Sequence, residues 1–238
     1  MKVVLFGASG MVGQGALREC LLDPEVSEVL AVVRRPLEEK PRGVDTAKLR
    51  ELVHADMFDF EPVAERLRGY DACLFTLGTS AAGMKEADYR RVTYDLTMAA
   101  ARVLARESPG LVFEYVSGQG TDSTERGRSM WARVKGATEN ALLGLGFGAA
   151  FMLRPGVIQP RHGIKSKTRL YRAAYIALTP FFPVLKAVAG SHITNTEDLG
   201  RVMVHLAKRG KAASDKAILE QRDLTALAKA LNSSAGSR

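Results

Sequence analysis

Three glycines spaced three apart, Gly7, Gly10 and Gly13 in the stretch GASGMVG, follow directly on the apolar run Val3-Val4-Leu5-Phe6. The chemistry such residues can do is to grip a phosphate. A buried strand that turns on glycine and re-enters as a helix gathers unpaired backbone N–H groups at the positive end of the helix dipole. Glycine serves where the turn needs unusual backbone angles, where the chain must approach a phosphate closely, and where helix packs on strand. The pattern therefore makes Gly7, Ser9, Gly10, Met11, Val12 and Gly13 candidate contacts of a dinucleotide pyrophosphate. The GxxGxxG spacing departs from the more usual GxGxxG, and a tight strand–helix turn that binds nothing is the alternative.

Further along, residue types recur at the places where such a nucleotide must be held. The second β-branched run, Val29 to Val33, ends in Arg34-Arg35 and carries no acid at its tip. A carboxylate there would bind a ribose 2′-hydroxyl, whereas arginine suits a 2′-phosphate, so the pair favours NADP(H) over NAD, with plain surface charges as the alternative. Asp56-Met57 follow a third strand, where Asp56 can meet the adenine amino group. Leu77-Gly78-Thr79 follow a fourth and let the chain pass close to ribose. Pro155-Gly156-Val157 follow a sixth, where Pro155 and Val157 can offer backbone to the nicotinamide carboxamide.

These residues need a scaffold, and strand-like and helix-like segments alternate to supply one. Strands are expected at 3–6, 29–33, 52–55, 72–77, 111–116 and 149–153, and helices at 12–22, 62–68, 86–107 and 129–143. Short connections in this order predict an α/β fold, a Rossmann-like doubly wound parallel sheet with a small irregular C-terminal substrate lobe. Thr196 to Lys208 reads as a capped helix, with Glu197 and Asp198 in its first turn. A short strand at 217–220 and a terminal helix follow. One domain, 1–231, is expected, with the lobe at about 157–231 and a small polar tail, 232–238, in disorder.

Composition narrows the classes. Forty-six per cent hydrophobic and 25 per cent charged residues are ordinary globular values. Two cysteines, Cys20 and Cys73, have no CxxC partner, so neither a disulfide framework nor a metal site is expected. With no signal peptide ahead of the first strand, a cytoplasmic setting is expected. The net charge of +8 comes from scattered residues with a modest concentration between Arg154 and Arg172. No aromatic residues interleave there, so no nucleic-acid partner is expected. The longest apolar stretch, Ala173 to Leu185, is below the ~20 residues of a membrane span. It reads as a core helix or a subunit contact, which leaves room for a homodimer, with attachment to a membrane surface as the alternative.

As a set, GASGMVG, LGTS (77–80), VSGQGTD (116–122), VKGATEN (134–140) and RPGVIQPRHG (154–163) resemble an atypical short-chain dehydrogenase/reductase. The resemblance is to Tat-interacting-protein-like oxidoreductases and bacterial epimerase/dehydratase relatives, and runs to about residue 210. It implies a Rossmann-like fold with bound NADP(H) acting on a carbonyl or alcohol substrate that the sequence does not identify. It also implies a catalytic serine at the fifth strand's tip, Ser117, and a catalytic, ribose-binding lysine, Lys135. The tyrosine that in this superfamily stands four residues before the lysine, and passes the proton, is here Trp131. Indole has no titratable proton in the useful range. Three readings follow: an oxidoreductase with a non-tyrosine proton donor, a nucleotide-binding redox sensor or partner-binding protein, or a structural or nucleic-acid-associated protein with a vestigial loop. On the substrate side, Trp131, Arg161 and His162 are candidate pocket residues, with Lys165 and Lys167 extending the cationic stretch. The competing reading of that stretch is a solvated basic loop.

Overall fold

A computed structural model describes residues 1–164 and 193–235. Seven strands form one parallel sheet in the order β3-β2-β1-β4-β5-β6-β9. They are β1 (Lys2–Phe6), β2 (Glu28–Val33), β3 (Leu49–Val53), β4 (Ala72–Phe75), β5 (Val112–Val116), β6 (Ala149–Arg154) and β9 (Ile218–Glu220). Two further three-residue strands, β7 (Val157–Gln159) and β8 (Ile193–Asn195), pair in parallel apart from the main sheet.

Period-2 side-chain alternation in strands buried on both faces explains the layers. Val3, Leu5 and Leu74 face one core; Val4, Phe6, Cys73, Phe75 and Phe113 face the other. The first core is covered by α1 (Met11–Leu22), α5 (Thr196–Arg209) and α6 (Gln221–Ala235). The second is covered by a 3-10 helix (Glu61–Leu67), α3 (Leu96–Glu107) and α4 (Met130–Leu143). Across β1, β4 and β5 the rings of Phe6, Phe75 and Phe113 form a row, with centroids 5.0 and 6.0 Å apart.

The helical stretch expected from Glu86 to Glu107 is one helix in three registers. It comprises α2 (Glu86–Arg90), a π-helical turn (Arg91–Asp95) and α3. The turn buries Thr93.

Helices α1 and α5 meet almost backbone to backbone. A Cβ on Gly15 would stand 2.5 Å from the Thr196 carbonyl, and one on Gly200 would stand 2.9 Å from that of Gly15. Glu19, buried at this seam, pairs with Arg18 at 2.6 Å and Arg201 at 3.3 Å.

In residues 193–235, β9 extends the main sheet and α5 and α6 complete one of its layers. Three expectations change. Residues 232–235, expected in a disordered tail, continue α6, where Asn232 bonds Asp198 and Arg201. Asn195 rather than Thr196 caps α5, its side chain accepting from the Asp198 N–H; Thr196, the first helical residue, is buried and accepts from the Arg161 N–H. The third strand runs Leu49–Val53, earlier than expected, because its pairing with β2 begins at Leu49. The apolar stretch 173–185 and Lys165 and Lys167 lie outside the described residues.

Candidate nucleotide site and the buried ion network beside it

The sheet order reverses at β1, since β2 lies on one side of it and β4 on the other. A crevice at such a reversal is where open α/β sheets hold ligands. A cavity of about 860 Å³ opens there, within the usual range of ligand pockets. Its lining takes residues from the tips of four strands: Gly7 and Ser9 after β1, Arg34 and Arg35 after β2, Asp56 and Met57 after β3, and Leu77, Gly78 and Thr79 after β4.

The floor of the cavity is a turn that only glycine can make. Gly7 has φ +87°, and a Cβ on it would stand 2.6 Å from Thr76 Oγ1. A Cβ on Gly13 would stand 2.0 Å from the Gly7 carbonyl oxygen. The Gly10 N–H closes the turn on that same carbonyl at 2.8 Å, and α1 starts at Met11 with no side chain capping its first N–H groups. These uncapped donors beside a roomy crevice fit a pyrophosphate, and Gly10 to Gly13 are the residues that can hold one.

Around the rim, Arg34 and Arg35 are exposed and make no ion pair among the described residues. Glu38 lines the same cavity, which the sequence did not single out. Asp56 accepts from the Phe58 N–H at 2.9 Å, an Asx-type turn that fixes the loop. Phe58 is exposed at the rim with the Arg91 guanidinium 5.0 Å from its ring centre. Val92 and Leu96, on the π-helical turn and the start of α3, also line the cavity. No sequence spacing brings that helix to the nucleotide crevice in advance, though its amphipathic length was readable.

The other expected residues lie beyond this cavity. Ser117 follows β5, and its hydroxyl is turned inward, 2.5 Å from Glu139 Oε1 and 3.1 Å from the Leu153 carbonyl. Lys135 on α4 donates to the Ser117 carbonyl oxygen. Its ammonium stands 5.8 Å from the Tyr115 ring centre. Burial lowers the Lys135 pKa to about 8, with the Glu139 charge opposing the fall. Tyr115 is buried to 1% exposure, and burial pushes its phenol well above the ordinary value, so the phenol stays protonated inside the core. Trp131 lies against the turn at Gly120, where a Cβ would be 3.5 Å from its ring. Pro155 is buried and accepts from the Gln119 N–H, while Val157 is exposed.

Arg161 and His162 do not line the nucleotide cavity. His162 pairs with Glu197 at 2.8 Å and closes a hollow of about 30 Å³ with Gln14 and Arg18 on α1. Among the described residues no cluster of three or more His, Cys, Asp or Glu could hold a metal, and no helix is long and apolar enough to cross a membrane.

Sequence reasoning missed Glu139. It is fully buried and salt-bridged to Arg154 at the end of β6, Oε2 to Nη2 2.5 Å. Arg154 also reaches Ser123 Oγ at 2.5 Å and Glu220 at 2.9 Å. Both residues stand inside the motifs VKGATEN and RPGVIQP, so the signal was there. What it lacked was any rule saying that the two motifs meet.

An α/β sheet of this order, with a glycine turn at its reversal, is a Rossmann-like fold. The fold matches an oxidoreductase of the short-chain dehydrogenase/reductase family from Burkholderia thailandensis, TM-score 0.68, 14% identical, covering 100% of this chain and 97% of that one. It also matches the Bordetella bronchiseptica enzyme WbmF in complex with NAD+, TM-score 0.64, 16% identical, covering 99% and 78%. No family model matches the chain. The chain belongs to the FMP52 family: it is 31% identical over 181 residues to protein fmp52-1, mitochondrial, of Aspergillus terreus, covering 74% of each.

One expectation is corrected by these relatives, which are FMP52 proteins. Their names carry the word mitochondrial, which overturns the cytoplasmic setting.

Proposed function

We propose that this chain binds NADP(H) and transfers hydride between it and a carbonyl or alcohol substrate, using a proton donor other than tyrosine. The observation that carries the reading is the cavity at the sheet's reversal, lined by Gly7, Ala8 and Ser9 of the glycine turn that leads into the uncapped start of α1. Arg34 and Arg35 at its rim, free of ion pairs among the described residues, support a 2′-phosphate and hence NADP(H) over NAD. Asp56, Met57, Leu77, Gly78 and Thr79 hold the adenosine half; Lys135, Pro155 and Val157 hold the nicotinamide half. Ser117 and Lys135 are the catalytic pair of this reading, with Trp131 and Arg161 on the substrate side and His162, tied to Glu197, anchoring that loop. The finer kinship with Tat-interacting-protein-like oxidoreductases rests on the five sequence motifs alone.

A second reading has one specific observation in its favour. Trp131 stands where the proton-passing tyrosine is expected, and in this reading the chain keeps its nucleotide site as a redox sensor without turnover. Trp131 is the one tryptophan of the sequence, which makes its fluorescence a direct probe. NADPH is expected to quench it at lower concentration than NADH, and Arg34→Ala to narrow the difference. Absence of both quenching and heat on titration overturns the two readings together. Turnover of NADPH with a panel of carbonyl compounds then separates them. If wild type turns over none and Trp131→Tyr gains activity, the sensor reading holds.

A further inference from the structure

The carboxylate of Glu139 is fully buried. Arg154 Nε and Nη2 both bind it, the latter at 2.5 Å, so the negative charge is compensated by a partner that is itself pinned by Ser123 and Glu220. A buried pair of this kind costs desolvation and is weak evidence for stability, which directs attention to what it holds. It holds the hydroxyl of Ser117, whose carbonyl in turn takes the Lys135 ammonium. Its Oε1 takes the Ser117 hydroxyl at 2.5 Å, and it lies one helical turn beyond Lys135 on the same face of α4.

A serine hydroxyl has one proton, and here that proton points at a carboxylate. Ser117 can then offer the crevice lone pairs but no donor. The Lys135 ammonium has three N–H groups, of which one is used on the Ser117 carbonyl. The groups facing that ammonium are Glu139 from its own helix and the Tyr115 ring from β5. Beyond them stand Arg154 from β6 and, next to Tyr115, Tyr89 from α2. Trp131, one turn before it, adds no titratable proton.

We propose that Glu139, clamped by Arg154, is the positioning residue of this site: it withdraws the Ser117 hydroxyl and steadies Lys135, so that the proton reaching the substrate oxygen comes from Lys135. The inference rests on the oxidoreductase reading above. When bound, the reduced nicotinamide supplies the hydride to the carbonyl carbon. The carbonyl electron pair moves onto oxygen, which takes a proton from one Lys135 N–H. The electrons of that N–H bond stay on nitrogen, and water reprotonates the amine. An ammonium with a pKa of about 8 is suited to this task near neutral pH.

Two measurements test it. The first needs no turnover: acetylation of Lys135 by acetic anhydride, followed against pH by mass spectrometry on the full chain. Wild type is expected to titrate near pH 8, Glu139→Gln at lower pH because a stabilising negative charge is gone, and Glu139→Asp in between. Since Glu139→Gln strands a buried arginine and can fail to fold, the double variant Glu139→Gln with Arg154→Met, which removes both charges, is measured beside it. An unchanged midpoint in the folded variants overturns the positioning role. The second is NADPH oxidation with the carbonyl panel. Lys135→Met is expected to lose roughly 10²- to 10⁴-fold in kcat/KM, as for a general acid, and Ser117→Ala less than about tenfold. Wild-type kcat is expected to fall as pH rises through 8. Equal losses in the two variants overturn Lys135 as the donor. If no carbonyl turns over while the labelling midpoint still shifts, the oxidoreductase reading and its proton step fail, and Glu139's hold on Lys135 stands.

Discussion

Glu114 is a single residue whose surroundings make a strong demand. It lies in the middle of β5, has no exposed surface, and neither carboxylate oxygen has a hydrogen-bond partner among the described residues. Burial therefore holds its pKa well above the ordinary value of 4.5, and the folded chain keeps the proton. The sign of the linkage follows. Above pH 4.5 the unfolded chain ionises this group and gains hydration, while the folded chain does not, so stability falls as pH rises from there toward the folded pKa. Glu114→Leu is expected to stabilise the protein at pH 8 by about 1–3 kcal/mol, the cost of an unsatisfied buried acceptor. That gain should shrink toward pH 4. Urea unfolding at the two pH values measures it, and destabilisation at both would mean that the carboxyl has a partner in the core.

Elements explain why neighbouring glycines on one helix have different jobs. Gly13 faces the Gly7 turn, whereas Gly15 faces α5, and a Cβ at either position would run into backbone, at 2.0 and 2.5 Å. Each Gly→Ala substitution is expected to cost about 1–3 kcal/mol as an overpacked site. Only Gly13→Ala should also abolish NADPH quenching of Trp131, because it alone deforms the phosphate turn. Equal loss of binding in both variants would mean that the turn depends on the α1–α5 seam. The same contrast measures what the sequence disclosed. The strand–turn–helix unit was legible because its signals are local: an apolar run, three glycines, then 3.6-residue spacing. The second strand, the tips at Asp56 and Gly78, and the helix over 86–107 were legible on the same grounds. What stayed hidden is non-local or too short to carry a period. Strands β7 and β8 have three residues each and find one another across more than thirty positions of chain. The π-helical turn adds no recognisable residue type, and Glu139 meets Arg154 only because α4 packs back along β6.

At the scale of the whole molecule, the proposed nucleotide site and the sheet share their central strands, so occupancy of that site is expected to couple to stability. The cavity is walled by the tips of β1 to β4, which also form the centre and one edge of the core. A ligand that binds only the folded chain stabilises it by RT ln(1 + [L]/Kd), about 2.7 kcal/mol at 100 times Kd. For a chain of 238 residues, each kcal/mol raises Tm by about 2–4 °C, so saturating NADPH is expected to raise it by about 5–11 °C. NADH at the same concentration should raise Tm less, because Arg34 and Arg35 meet a hydroxyl where they would meet a phosphate. The double variant Arg34→Ala with Arg35→Ala should bring the two shifts together by lowering that of NADPH and leaving that of NADH. Differential scanning fluorimetry over a concentration series reads all three values. Equal shifts for the two nucleotides in wild type would sink the NADP(H) preference yet keep the nucleotide site. No shift with either, in a protein that unfolds cooperatively, would remove the site itself.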